Sequence, residues 1–96
     1  MKNLHKKAIW KYGADCQLLK AIEEMKELIH ELNEYLDGRG EITFIAEEMA
    51  DVQNMINQIQ IIFDISDDEK ESMMKSKMER CFNETVHEMQ ERKGLK

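Results

Sequence analysis

Proline is absent from this chain of 96 residues, and only four glycines interrupt it, at positions 13, 38, 40 and 94. Proline and glycine are the residues that most often break a helix, so the stretches between these positions can form long helices. Apolar and polar residues nowhere alternate with a period of two, which argues against β-strands. Apolar residues recur instead at spacings of three and four. The sequence therefore predicts an all-α protein.

Three further absences limit the function. Basic residues are the minority, 14 against 20 acidic ones, and the net charge of −6 argues against binding of a nucleic-acid polymer. No apolar run is long enough to cross a membrane, and no signal peptide is recognisable. Cys16 and Cys81 form no C-x-x-C pair. We expect a reduced, cytoplasmic protein with no membrane partner and with two buried thiols.

The first half of the chain predicts a short helix followed by a long one. The short N-terminal helix runs from about residue 3 to residue 12 and ends at Gly13, a left-handed cap. Asp15 can cap the second helix, which stops at the Asp37-Gly38-Arg39-Gly40 sequence. The apolar side chains expected to form its core stripe are Leu18, Ile22, Met25, Ile29, Leu32 and Leu36.

The second half predicts two more long helices. One begins near Thr43, and the last begins at the capping box Ser66-Asp67-Asp68-Glu69 and continues to about Arg92. We therefore expect an antiparallel bundle of three long helices and a short N-terminal helix, which forms a single domain over residues 1–96.

The third helix carries almost no charge beyond its first turns. Between Asp51 and Asp64 its polar residues are all Asn or Gln, whereas a solvated helix face usually carries Lys and Glu. A chain this short also buries only a modest fraction of its surface when it folds alone. We expect other protein to cover this helix, in a homodimer or a homotetramer.

Two acidic motifs carry the chemistry, Glu23-Glu24-x-x-Glu27 in the second helix and Glu48-x-x-Asp51 in the third. Residues three apart share a helix face, so each motif forms an acidic edge. Counting about 1.5 Å per residue from the intervening loop places both edges at nearly the same depth. Converging carboxylates repel one another unless a hard cation binds between them. Mg²⁺ that is coordinated by carboxylates commonly binds polyphosphates. The motifs predict magnesium-dependent phosphate chemistry.

The acidic residues also have an ordinary explanation. Glu is a good helix former, and Glu23, Glu24 and Glu27 lie away from the middle of the apolar stripe. Glu48 differs, because it falls near the centre of an apolar face, where an ionised acid is costly unless it is paired or binds a metal.

Other polar side chains are candidate substrate ligands. Lys77 and Arg80 reach the level of the acidic edges and would hold outer phosphates, or else form a solvated edge. Asn54 and Gln58 continue the acidic edge of the third helix, and Gln17 precedes the edge of the second by two turns; each would bond a sugar or a base, or fill a helix interface. Two aromatic residues could stack on a base or pack in the core, Trp10 and Tyr12.

A di-iron site is a competing interpretation. The E-x-x-H element of ferritin-like bundles occurs twice, at Glu27 with His30 and at Glu84 with His87. Glu84 falls roughly 10 Å below the level of Glu48, however, and the short first helix lacks a fourth Glu. The magnesium interpretation is therefore favoured.

With these motifs the chain resembles the MazG-like all-α nucleoside triphosphate pyrophosphohydrolases, whose signature is E-E-x-x-E followed, after a variable gap, by E-x-x-D. The similarity spans about residues 8 to 82. It implies hydrolysis of a nucleoside triphosphate between the α and β phosphates. Glu24, Glu27, Glu48 and Asp51 would ligate Mg²⁺, with Mn²⁺ as a substitute, and Glu23 or Glu27 would orient or deprotonate the attacking water.

The resemblance also implies partners. Basic residues on the family's third long helix map loosely to Lys77 and Arg80, and family members assemble as dimers or tetramers. A non-catalytic helical assembly protein with a vestigial acidic motif is the alternative function.

Overall fold

A computed structural model describes residues 1–83 of the chain. These residues form four α-helices and no β-strand, which confirms the all-α prediction. The helices are α1 (Lys2–Tyr12), α2 (Ala14–Leu36), α3 (Ile42–Phe63) and α4 (Asp67–Phe82). The chain divides into two compact units, Met1–Ile65 and a second that starts at Ser66. The predicted end of the last helix, at Arg92, lies outside the described residues.

Gly13 alone separates α1 from α2. Its φ of 89° lies in the region that favours glycine. Its N–H donates to the Ile9 carbonyl at 2.8 Å, and its own carbonyl accepts from the Gln17 N–H at 3.1 Å. Gly13 is thus both the C-cap of α1 and the N-cap of α2. The prediction that Asp15 caps α2 is wrong, because Asp15 lies inside the first turn, where its charge still suits the helix dipole.

A tight turn reverses the chain between α2 and α3. The N–H groups of Arg39 and Gly40 both donate to the Glu34 carbonyl, at 2.9 and 3.0 Å. A Cβ on Gly40 would lie 2.5 Å from the Tyr35 nitrogen, so this position requires glycine. The Arg39 guanidinium also pairs with the Glu34 carboxylate at 2.8 Å. The turn directs α3 back along α2.

α2 and α3 pack antiparallel. Near its start α2 is joined to the last two turns of α3 by a hydrogen bond between Gln17 and Gln58. Ten residues further along α2, Glu27 lies beside Glu48, which comes ten residues before Gln58. The same number of residues thus separates the two contacts on each helix, as an antiparallel pair requires. This confirms the prediction that the two acidic motifs lie at the same depth along the bundle.

The core of this first unit is small and largely polar. Ala21 and Met55 are its buried apolar residues, while His5, Gln17 and Gln58 are its buried polar ones. The buried residue of α1 is thus a histidine. α1 packs against both α2 and α3.

The predicted core stripe of α2 is exposed in the single chain, which corrects the sequence prediction. Ile29 is 57% exposed and Leu36 is 79% exposed. The residues of α2 that face α3 include Gln17 and Ala21 instead. At about 100° per residue, the apolar stripe is rotated by roughly a quarter turn about the α2 axis from these residues. The exposed members are Ile22, Met25, Ile29, Leu32 and Leu36.

An equivalent stripe on α3 includes the exposed Met49 and Phe63. Both stripes are displaced in the same rotational sense from the line of helix contact. Because the helices are antiparallel, both stripes then lie on one side of the pair, opposite α1. We call this surface the apolar face.

α4 begins as predicted. The Glu69 N–H donates to Ser66 Oγ at 3.1 Å, and the Ser66 N–H donates to Glu69 Oε1 at 3.3 Å, which is the expected capping box.

The expectation of two buried thiols is wrong, since Cys16 is exposed and Cys81 is half-buried. Within residues 1–83, no helix has both the length and the apolarity that a membrane span requires.

Candidate functional site

Four carboxylates converge halfway along the α2–α3 pair. One oxygen from each of Glu24, Glu27, Glu48 and Asp51 lies within 4.8 Å of the other three. The antiparallel register brings the motifs level, and the three-residue spacing turns both members of each motif toward the other helix. The predicted convergence of the two acidic edges is confirmed.

Two oxygens of this cluster lack a partner. Glu24 Oε2 and Glu48 Oε2 are buried and make no hydrogen bond within the described part of the chain. Buried polar atoms are nearly always paired, so these two carboxylate oxygens are available to a ligand. The donor set is all oxygen, which suits a hard divalent cation such as Mg²⁺ or Mn²⁺. The residues therefore fit the metal that the sequence implies.

The electrostatics of the cluster are those of acids without a counterion. Burial raises the pKa of Glu24 above its ordinary value of 4.5, and the carboxylates of Asp51 and Glu27 raise it further, while Lys20 opposes them. Burial also raises the pKa of Glu48, with Glu27 and Asp51 adding to the shift. Crowded, desolvated carboxylates favour the neutral form, and a bound cation would reverse that preference.

A cavity of about 500 Å³ adjoins the carboxylates, and Glu24 and Asp51 form part of its wall. The cavity lies between α1, α2 and α3. This volume falls within the range of small-molecule sites. The other polar residues along its wall include His5, Gln17, Lys20, Asn54 and Gln58.

Hydrogen bonds tie the amides of the cavity wall together. Gln17 Nε2 donates to Gln58 Oε1 at 2.7 Å, and His5 Nε2 lies 3.1 Å from Asn54 Oδ1. The three amides proposed from the sequence as substrate ligands thus line one cavity beside the acidic cluster. Tyr12 also lines it, whereas Trp10 is 89% exposed and is not among the residues of its wall.

Lys20 and His5 are wall residues that the sequence analysis did not single out as site candidates. Lys20 lies four residues before Glu24, a spacing that places them on one helix face and was available as a signal. His5 carried no such signal, because its place in the wall depends on how α1 packs against α3.

Other predicted residues lie apart from the cluster. Glu23 is exposed and is not one of the four converging carboxylates. Lys77 and Arg80 are exposed on α4, in the second unit, and their role stays a prediction. In the first element of the competing di-iron site, His30 is exposed and its Nε2 lies 3.7 Å from Glu34 Oε1. Its second element, at positions 84 and 87, lies outside the described residues.

No protein-family model, curated protein or solved structure matches this chain. The resemblance to MazG-like pyrophosphohydrolases therefore stays a prediction, and the function is inferred from the site itself.

Proposed function

We propose that this protein hydrolyses a nucleoside triphosphate between the α and β phosphates, releasing a nucleoside monophosphate and pyrophosphate. One observation carries the proposal: four carboxylates, with two unpartnered buried oxygens, adjoin an amide-lined cavity of about 500 Å³. A nucleotide needs both parts, a cation site for the polyphosphate and a concave polar pocket for the nucleoside.

The cluster residues have distinct roles in this proposal. Glu24, Glu27, Glu48 and Asp51 hold Mg²⁺, for which Mn²⁺ can substitute. When bound, the ion neutralises charge on the phosphates and lowers the pKa of the attacking water. Glu27, or Glu23 beside the cluster in sequence, orients that water and accepts its proton.

A cationic side chain holds the outer phosphates. Lys20 lines the cavity close enough to Glu24 to lower the pKa of that carboxyl, so it is placed to bind a phosphate oxygen as well. Gln17, Asn54 and Gln58 bind the nucleoside.

Self-association is part of the proposal. The apolar face exposes five large side chains of α2 together with Met49 and Phe63 of α3. A continuous apolar surface of this kind usually marks a protein interface. We propose that a second copy covers it, in a homodimer or a homotetramer.

The same surface favours a second candidate function, a non-catalytic helical assembly protein with a vestigial acidic motif. The two functions differ in one measurable property, magnesium-dependent pyrophosphate release. Both require the apolar face, so the oligomeric state does not separate them.

The test is pyrophosphate release by the full chain with Mg²⁺, screened against all ribo- and deoxynucleoside triphosphates and phosphoribosyl-ATP. We expect turnover of at least one substrate, and its loss in Glu48→Gln. Glu47→Gln is the matched control, because Glu47 is exposed, adjacent and outside the cluster. Absence of turnover with every substrate would reject the enzyme in favour of the assembly protein.

A further inference from the structure

α1 differs in charge from the rest of the first unit. It carries four lysines and no acidic residue, whereas residues 13–65 carry three lysines or arginines and twelve acidic residues. In the part of the chain that the structure describes, none of the four lysines pairs with a carboxylate. The positive charge of α1 is therefore available to an anionic partner.

The four lysines surround an exposed tryptophan. Trp10 is 89% exposed. Lys6 and Lys7 come one turn before it and, at about 100° per residue, lie about 40° to one side of it and about 60° to the other. All four lysines are exposed as well. We call this surface of α1 the basic face, and it consists of Lys2, Lys6, Lys7, Trp10 and Lys11.

The basic face points away from the rest of the first unit. The residues of α1 that line the cavity include His5, Ala8 and Tyr12, and no residue of the basic face is among them. The apolar face lies on the opposite side of the α2–α3 pair, so a second copy that covers it would leave the basic face open. The basic face is therefore free to contact a different partner.

We propose that the basic face docks on the surface of an anionic phospholipid bilayer. Lysine ammonium groups complement the phosphates and carboxylates of acidic headgroups. A tryptophan ring suits the headgroup depth, because its body is apolar and its N–H is polar. The acidic remainder of the unit is repelled by the same headgroups, so the charge distribution turns α1 toward the bilayer.

Two other anionic partners fit the basic face less well. Proteins that bind single-stranded nucleic acid usually combine a basic groove with several stacking aromatic rings, whereas the basic face has one ring on the convex side of a helix. An acidic peptide would form exposed ion pairs with the lysines, and such pairs contribute little to binding. A fluid bilayer can adapt to a convex face and also removes Trp10 from water.

This contact requires no membrane-spanning segment. A helix of 11 residues, such as α1, can lie at a bilayer surface with its axis in the plane of the headgroups. The inference thus departs from the sequence-based expectation of no membrane partner, which was drawn from the lack of a long apolar run. It is independent of the proposed reaction, because that reaction uses the cavity and the carboxylates.

The first experiment uses Trp10 as the reporter, because it is the single tryptophan of the chain. The full chain is titrated with vesicles of equal amounts of phosphatidylcholine and phosphatidylserine, and with vesicles of phosphatidylcholine alone. We expect the anionic vesicles to shift the emission to shorter wavelength and to give a partition coefficient at least about tenfold larger. Added salt should reduce it, since screening weakens the attraction. Equal partitioning into both vesicles, or into neither, would overturn the proposal.

Charge-reversal variants test whether the basic face makes the contact. Lys6→Glu with Lys7→Glu should reduce the partition coefficient for the anionic vesicles by about tenfold or more. Lys26→Glu with Lys75→Glu is the matched control, because it changes the net charge equally at exposed positions of α2 and α4. An equal loss in both pairs would show that net charge alone governs binding and would reject the basic face.

Two further probes test the other anionic partners. A thymidine oligonucleotide and poly-L-glutamate are titrated separately under the same conditions, and we expect neither to shift the Trp10 emission to shorter wavelength. A larger shift or tighter binding with either probe than with the anionic vesicles would overturn the bilayer as the partner. None of these titrations involves hydrolysis, so failure of the proposed reaction and failure of this inference are distinguishable.

Discussion

Gln17 Nε2 donates a hydrogen bond of 2.7 Å to Gln58 Oε1, across 41 positions of sequence. Both side chains are 5% exposed, so this bond lies inside the first unit. It joins the start of α2 to the last turns of α3, in the same register that brings Glu27 level with Glu48. Gln17 and Gln58 also line the cavity. One pair of amides therefore links the proposed nucleoside site to the carboxylate cluster.

Gln17→Met should destabilise the protein. The substitution leaves Gln58 Oε1 buried without its donor, which costs about 1–3 kcal/mol of unfolding free energy. Urea denaturation of the metal-free protein measures the change. Gln53→Met is the control, because its amide bonds to Asn57 on an exposed surface, and a smaller loss is expected. An equal decrease in unfolding free energy in both variants would show that the buried hydrogen bond contributes no more to stability than the exposed one.

Mg²⁺ or Mn²⁺ should raise the melting temperature. A ligand that binds only the folded state stabilises it by mass action, by about 2.7 kcal/mol at a hundred times its Kd. Differential scanning fluorimetry with the ion and with chelator measures the gain. Glu24→Gln and Asp51→Asn should abolish it, while Glu47→Gln should keep it. A wild-type protein that responds to neither ion would exclude the proposed metal site.

Glu48→Met should separate stability from function. Removal of a crowded carboxyl with an unpartnered buried oxygen relieves repulsion within the cluster, so the metal-free variant should unfold at a higher denaturant concentration than the wild type. Pyrophosphate release should disappear at the same time, since a thioether is a poor ligand for Mg²⁺. Full turnover in this variant would contradict the catalytic proposal.

The metal-free protein should lose stability as the pH rises. The pKa values of Glu24 and Glu48 are raised in the folded state, so folding favours their protonated forms. Their contribution is fully present below the ordinary value of 4.5 and is lost as the pH rises through the higher folded values. Urea midpoints in chelator between pH 4.5 and 7 measure this slope. Glu24→Gln with Glu48→Gln should flatten it; an unchanged slope would assign the pH dependence to other groups.

Ile29→Lys should weaken self-association. Ile29 is 57% exposed in the middle of the apolar face, and a lysine there would have to be desolvated when a second copy covers it. Sedimentation velocity should show a dissociation constant at least about tenfold higher than that of the wild type. Asn33→Lys is the control, an exposed position on α2 outside the stripe. A wild-type monomer at micromolar concentration would remove the proposed interface.

The sequence by itself determined the features that depend on neighbours along the chain. The capping box of Ser66 and Glu69 formed as predicted, because its donors and acceptors lie within one turn. The acidic motifs came level because the rise per residue is constant and a short turn joins their helices. The four carboxylates of the cluster and the three amides of the cavity wall were therefore predictable from the sequence.

Only the tertiary structure decided how each helix is rotated about its axis. Ile29 and its neighbours formed the strongest apolar stripe on α2, yet the helix turns Gln17 and Ala21 toward α3 and leaves the stripe exposed. His5 likewise entered the cavity wall through its contact with Asn54, 49 positions away. Helical periodicity shows which residues share a face. It does not show which partner that face meets, because the gain from burial depends on side chains that are distant in sequence.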